Sequence, residues 1–100
     1  MAVELDYRPE ARADLASIYA WLADRSDAAA AFAYVSRIEA ACQRLIEFPR
    51  RGSPHDPLEP GLRSVPFERR ATIYYRVTES AVEIVRVLYA GLDADREFKR

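Results

Sequence analysis

The sequence predicts an α+β domain in which a helical hairpin packs on one face of an antiparallel sheet, in the order β-α-α-β-β-β. Three observations lead there. Apolar residues recur at steps of three and four between Pro9 and Phe48, and mostly at steps of two on either side of that stretch. Four of the six prolines and two of the three glycines fall between Pro49 and Gly61 and separate the two regimes. At 100 residues, half of them apolar and 31% charged, the chain holds one modest core, so residues 1–100 read as a single domain.

Val3, Leu5 and Tyr7 alternate with Glu4 and Asp6, which predicts a short half-buried strand. Pro9 suits the first turn of a helix, where its missing N–H costs nothing. Ala11, Leu15, Ile18, Tyr19 and Leu22 then form a core stripe that carries this helix to about Asp24. Asp27 is a good N-cap for a second helix, expected to reach about Phe48 with Ala28, Phe32, Val35, Ile38, Cys42, Leu45 and Ile46 on its apolar stripe. With about three residues between them, the helices must be antiparallel neighbours.

Pro49 closes the second helix, and Pro49 to Gly61 reads as a stiff surface loop. Three strands follow. Leu62 to Phe67 carries Pro66, which places its end at a sheet edge or bulge. Ala71 to Thr78 is rich in Tyr, Ile, Val and Thr. Ala81 to Tyr89 is apolar on both faces through Val82, Ile84, Val85, Val87 and Leu88, which predicts a position inside the sheet. Gly91 to Arg100 is charged and expected to fray.

Composition excludes several functions. A net charge of −1 does not fit a nucleic-acid coat. No apolar run approaches the ~18 residues of a membrane span, and the start lacks a basic-then-apolar leader pattern, so a cytoplasmic location without membrane association is expected. One cysteine and one histidine leave no internal disulfide and no zinc site built on several His and Cys ligands. The glycines are isolated rather than arranged in a phosphate loop, and no cofactor or metal site is read.

Charge is unevenly shared. Residues 1–48 hold five arginines against eight acids, and residues 49–76 hold six arginines against Asp56, Glu59 and Glu68. Fourteen of the fifteen basic residues are arginine, the side chain suited to forked contacts with carboxylate or phosphate.

Four blocks carry a family resemblance. Tyr7-Arg8-Pro9-Glu10-Ala11-Arg12-Ala13-Asp14-Leu15-Ala16-Ser17-Ile18 resembles the opening of the RelE/ParE toxin superfamily, where a strand leads into x-x-A-x-x-D-L-x-x-I. Phe48-Pro49-Arg50-Arg51-Gly52 resembles its hP-x-x-G. Pro60-Gly61-Leu62-Arg63 followed by Ile73-Tyr74-Tyr75-Arg76-Val77 resembles its G-L-R…I-x-Y-R-V. Val82-Glu83-Ile84-Val85-Arg86-Val87-Leu88-Tyr89 resembles its last strand, V-x-I-x-R-V-L-H, with Tyr89 where many relatives have histidine. The blocks run in order from residue 3 to about 93, and the pattern is nearest to the ParE, plasmid-stabilisation branch.

The resemblance implies a cytoplasmic toxin of a type II toxin–antitoxin pair. Its expected partner is a ParD-like antitoxin with a ribbon-helix-helix DNA-binding half and an arm that folds on the toxin. This chain alone is not expected to bind DNA sequence-specifically. ParE toxins poison DNA gyrase by binding rather than by catalysis. RelE toxins share the fold but cut mRNA in the ribosomal A site, so a ribosome-dependent endoribonuclease is the alternative. A degenerate toxin retaining only antitoxin binding is a third.

For the ribonuclease alternative, the candidates are Arg63, Arg86 and Tyr89, with Arg76 beside them; cations would stabilise the phosphate in flight while a base activates a 2′-hydroxyl. The favoured reading of these residues is a bracing role, with Arg63 and Arg86 bracing the sheet or pairing acids such as Glu68 or Glu83 and Tyr89 capping the core. His55 reads as a loop residue rather than a general base, and Cys42 as a small buried apolar side chain. Trp21 and Tyr34 fall off their helix stripes, so each either is an exposed anchor or packs on a neighbour. An acidic and apolar antitoxin arm would suit such anchors beside arginines. Trp21, Arg50, Arg63, Arg69 and Arg70 are therefore the candidate partner-binding residues.

Overall fold

The computed structural model describes residues 4–98. In chain order the elements are β1 (Glu4–Tyr7), α1 (Pro9–Arg25), α2 (Ala28–Arg44), β2 (Ser53–Pro54), β3 (Leu62–Phe67), β4 (Ala71–Val77), β5 (Ala81–Tyr89) and α3 (Ala90–Phe98). The strands form one sheet in the order β1-β5-β4-β3-β2. Val3 and Lys99 lie outside the described residues.

The sheet is mixed rather than antiparallel. β1 runs parallel to β5, with Glu4 opposite Ala81 and Tyr7 opposite Ile84, while β5, β4, β3 and β2 pair antiparallel. Alternating apolar residues in a four-residue strand report which face is buried, not which way a distant partner runs.

α1 begins at Pro9, as its fixed φ favours, and Ala11, Asp14, Leu15 and Ile18 face inward. Asp27 Oδ1 accepts from the Ala30 N–H at 2.7 Å and caps α2. α2 stops at Arg44 instead of Phe48. The N–H groups of Leu45, Ile46 and Glu47 donate to the carbonyls three residues back, which tightens the end into turns. The expected stripes also rotate. Ala31 replaces Ala28 and Phe32 at the core, leaving Phe32 67% exposed, and Tyr19 on α1 is 37% exposed.

Ile18, Ile38, Cys42 and Leu45 of the helical region meet Ile73, Tyr75, Val82, Ile84, Val87 and Tyr89 of the sheet in one core. β5 lies inside the sheet, as expected, but its doubled apolar pattern has a second cause. Tyr74 faces Arg86 while Tyr75 faces Ile84, so Val85 is an extra residue at a bulge. The bulge restores the phase, keeping Val82, Ile84, Val87 and Tyr89 all in the core.

The tail expected to fray continues instead as α3. Leu92 is buried against the core, which gives this charged segment an apolar anchor. No helix among the described residues is long and apolar enough to cross a membrane.

Candidate functional site

Two surfaces gather the candidate residues, one at each end of the β3–β4 hairpin. The first is centred on aromatic rings. Trp21 packs on Tyr89 at 5.5 Å between ring centroids, and Tyr34 packs edge-on against Phe67 and Tyr89, each at 5.6 Å. Trp21 and Tyr34 are therefore half-buried packing residues, not free anchors. The buried Trp21 Nε1 and Tyr34 hydroxyl have no hydrogen-bond partner among the described residues. Burial, with a smaller contribution from Tyr89, pushes the Tyr34 hydroxyl up to about 12.

Beside these rings lies a groove of about 310 Å³ between α1 and α2, lined by Leu22, Ser26, Ala30, Ala33, Tyr34 and Arg37. The Arg25 guanidinium sits 4.0 Å over the Trp21 ring, and that of Arg37 lies 5.2 Å from Tyr34. Small residues of α2 shape the groove, and arginines border it. Arg37 is itself held by Glu68, through Nε and Nη2 at 2.9 Å each.

Glu68 belongs to the β3–β4 turn, closed by the Arg70 N–H donating to the Phe67 carbonyl. Phe67 pairs with Ala71 across a three-residue connection, in which Glu68 and Arg69 have φ of 47° and 66°, left-handed values that favour Asn and Gly. The turn thus displays Arg69 and the neighbouring Arg70, both exposed, next to the aromatic cluster.

The second surface is built on loop carbonyls. Gly52 has φ 87°, and a Cβ there would come within 2.3 Å of the Ser64 carbonyl oxygen, so only glycine lets the loop lie against β3. Arg63 then clamps the loop. Its Nε donates to the Arg51 carbonyl at 3.1 Å, and its Nη2 donates to those of Arg50 and Gly52 at 2.6 and 3.4 Å. The Tyr75 hydroxyl donates to the carbonyls of Pro49 and Arg51 from the core side. Beyond this clamp, Arg50, Gly61, Arg63, Val77, Thr78 and Glu79 line a cleft of about 490 Å³.

These surfaces sit on a domain whose relatives are recognisable. Residues 5–93 match the family model described as the ParE toxin of the type II toxin-antitoxin system parDE. The chain belongs to the ParE toxin family. It is 35% identical over 89 residues to Toxin ParE1 of Mycobacterium tuberculosis, in strains CDC 1551 / Oshkosh and ATCC 25618 / H37Rv alike. Those alignments cover 88% of this chain and 90% of each relative. A solved structure described as a chromosomal ParDE TA system from P. aeruginosa shares the fold, with a TM-score of 0.76 and 24% identity. That match covers 87% of this chain and 95% of the other.

In this ParE-family chain the three ribonuclease candidates are not brought together. Arg63 borders the loop cleft, whose lining includes neither Arg86 nor Tyr89. Arg86 is engaged by Asp14, with Nε and Nη2 at 2.7 and 2.9 Å from its two carboxylate oxygens. The bracing acid is thus Asp14 and not Glu68 or Glu83. Tyr89 is buried and caps the core against Trp21 and Tyr34. Arg76 lies near Glu59 at 3.3 Å and Glu83 at 3.7 Å, in a cluster that also holds Arg8.

Other groups were hidden from sequence reading. Arg8 Nη2 joins Glu59 and Glu83 at 2.8 and 3.0 Å, linking the β1–α1 junction, the loop and β5. His55 is half-buried, with Nε2 2.7 Å from the Ser64 hydroxyl and its ring 5.7 Å from Tyr74. Ser64 lies nine residues away, where inspection of neighbouring sequence does not reach. Cys42 is buried as expected, and burial pushes its thiol up to about 11.

Proposed function

We propose that this ParE-type toxin acts on DNA gyrase by binding, without catalysis, and that a ParD-like ribbon-helix-helix antitoxin neutralises it. The family match across residues 5–93 carries the reading. It is supported by the fate of the nuclease candidates: Arg86 is neutralised by Asp14, and Tyr89 is sealed in the core. A poison that stabilises a protein–DNA complex needs a recognition surface and no reacting pair.

The antitoxin arm is assigned to the groove between α1 and α2. Its apolar side chains would enter beside Tyr34, and its acidic ones would meet Arg69 and Arg70. Trp21 supports that surface from below by fixing Tyr89. Arg50 and Arg63 form a separate part of the partner-binding surface.

Pulse labelling after induction without antitoxin tests the function. DNA synthesis is expected to stop before protein synthesis. Arrest of protein synthesis first would favour the mRNA endoribonuclease instead. Accumulation of folded protein with no arrest, but normal antitoxin binding, would identify a degenerate toxin.

A further inference from the structure

Arg50 and Arg63 lie at the far end of the β3–β4 hairpin from Arg69 and Arg70. Arg63 and Phe67 are four residues apart in β3, about 13 Å at ~3.3 Å per residue, so one side-chain contact cannot serve both ends. Arg63 is fixed before any ligand arrives. Its Nε and Nη2 are spent on three loop carbonyls, while its Nη1 makes no hydrogen bond among the described residues. Arg50 is exposed and forms no ion pair among them.

Both arginines line the cleft of about 490 Å³, with Glu79 as its one acid, so the lining is net cationic. Gly61 contributes no side chain, Val77 gives an apolar wall, and Thr78 lies between Val77 and Glu79. Space of this size takes an acidic side chain with an apolar neighbour.

We propose that this cleft is a carboxylate-binding pocket that anchors an acidic residue of the antitoxin arm, apart from the groove between α1 and α2. The proposal rests on the antitoxin reading above. With Nε and Nη2 held by the loop, the Arg63 guanidinium keeps Nη1 for one charge-assisted hydrogen bond to a carboxylate, and Arg50 supplies the second cation. A peptide brings one such charge to one cationic spot. A nucleic-acid strand would bring a row of phosphates to a chain of net charge −1 whose first 48 residues carry eight acids against five arginines.

The test is an NMR titration of the purified chain with a blocked tripeptide carrying aspartate between two leucines. Its asparagine counterpart and inorganic phosphate are run in parallel. The aspartate peptide is expected to shift the signals of Arg50, Gly61, Arg63 and Thr78, and Arg50→Ala to weaken it by about fivefold. The Arg50 side chain makes no hydrogen bond or ion pair among the described residues, and alanine keeps the carbonyl that Arg63 holds, so this variant keeps the wild-type spectrum elsewhere. Equal shifts from the asparagine peptide, or shifts confined to Arg69 and Arg70, overturn the pocket. Phosphate saturating the cleft while the peptide leaves it unmoved overturns the carboxylate assignment.

The antitoxin reading is scored separately by co-purification with a ParD-like antitoxin. Co-purification with a silent cleft overturns the pocket alone. A responsive cleft without co-purification supports the carboxylate site and overturns its assignment to an antitoxin.

Discussion

Asp14 holds Arg86 with both carboxylate oxygens, and one of those oxygens also accepts the Val87 N–H at 2.8 Å. β1 covers β5 only as far as Ile84, so the backbone at Val87 lies beyond its reach. Asp14 supplies the acceptor that a longer strand would have provided, and so stops this edge from offering a free donor to another chain. The pair is unevenly placed: the Asp14 side chain is 8% exposed and that of Arg86 43%.

That asymmetry orders the expected losses. Asp14→Ala removes the acceptor of a buried N–H and the partner of Arg86, and should cost about 3 kcal/mol. Arg86→Ala removes a solvent-screened cation and should cost about 1 kcal/mol. Denaturant unfolding of the two variants checks this. Equal losses would show that the ion pair, and not the edge hydrogen bond, dominates.

The helical hairpin and the last three strands were legible because their periodicity and turn residues agree. Helix phase was less so: with Ala28, Ala31 and Phe32 all available, packing chose the small Ala31 for the close approach. The direction of β1 and the identity of the acid beside Arg86 depend on contacts across 72 residues or more. For the site, arginine content pointed to the right segments but not to their division. Arg50 and Arg63 share a cleft, whereas Arg69 and Arg70 sit on a turn at the other end of the hairpin. The aromatic cluster was invisible as a unit because Trp21, Tyr34, Phe67 and Tyr89 come from four elements.

Glu59 gives the loop an acid sensitivity. Its hydrogen bond with Arg8, followed by the attraction of Arg8 and Arg76, holds the carboxyl below its ordinary value. A depressed folded value means that the stabilisation is complete above the unfolded pKa of about 4.3 and is lost as pH falls through the folded one. Hydrogen-exchange protection of the loop amides, the intrinsic rate relative to the observed rate at the same pH, should therefore fall on acidification below pH ~4.3, and the step should shrink in Glu59→Gln. An unchanged acid profile in that variant would separate the loop from this ion cluster.

The β3–β4 turn should be improvable in stability at the expense of binding. Arg69 holds φ 66° with a full side chain, and left-handed backbone costs a non-glycine residue about 1 kcal/mol. Arg69→Gly should therefore raise stability by about that amount while weakening antitoxin association. Thermal unfolding and titration calorimetry on the same variant read the two effects. Higher stability with unchanged affinity would remove Arg69 from the interface.

Gly91 sets how closely α3 approaches the aromatic cluster. A Cβ at this position would lie 2.8 Å from Trp21 Cη2 and 3.0 Å from Tyr89 Cε2. Neither ring can yield easily, because Tyr89 is buried and also packs on Tyr34. Gly91→Ala should thus push the start of α3 outward and cost about 1–3 kcal/mol through overpacking, despite the better helix propensity of alanine. Trp21 is the only tryptophan in the chain, so its fluorescence reports the change directly. A red-shifted emission with lower stability is expected. Blue-shifted or unchanged emission with higher stability would mean that helix propensity outweighs the contact.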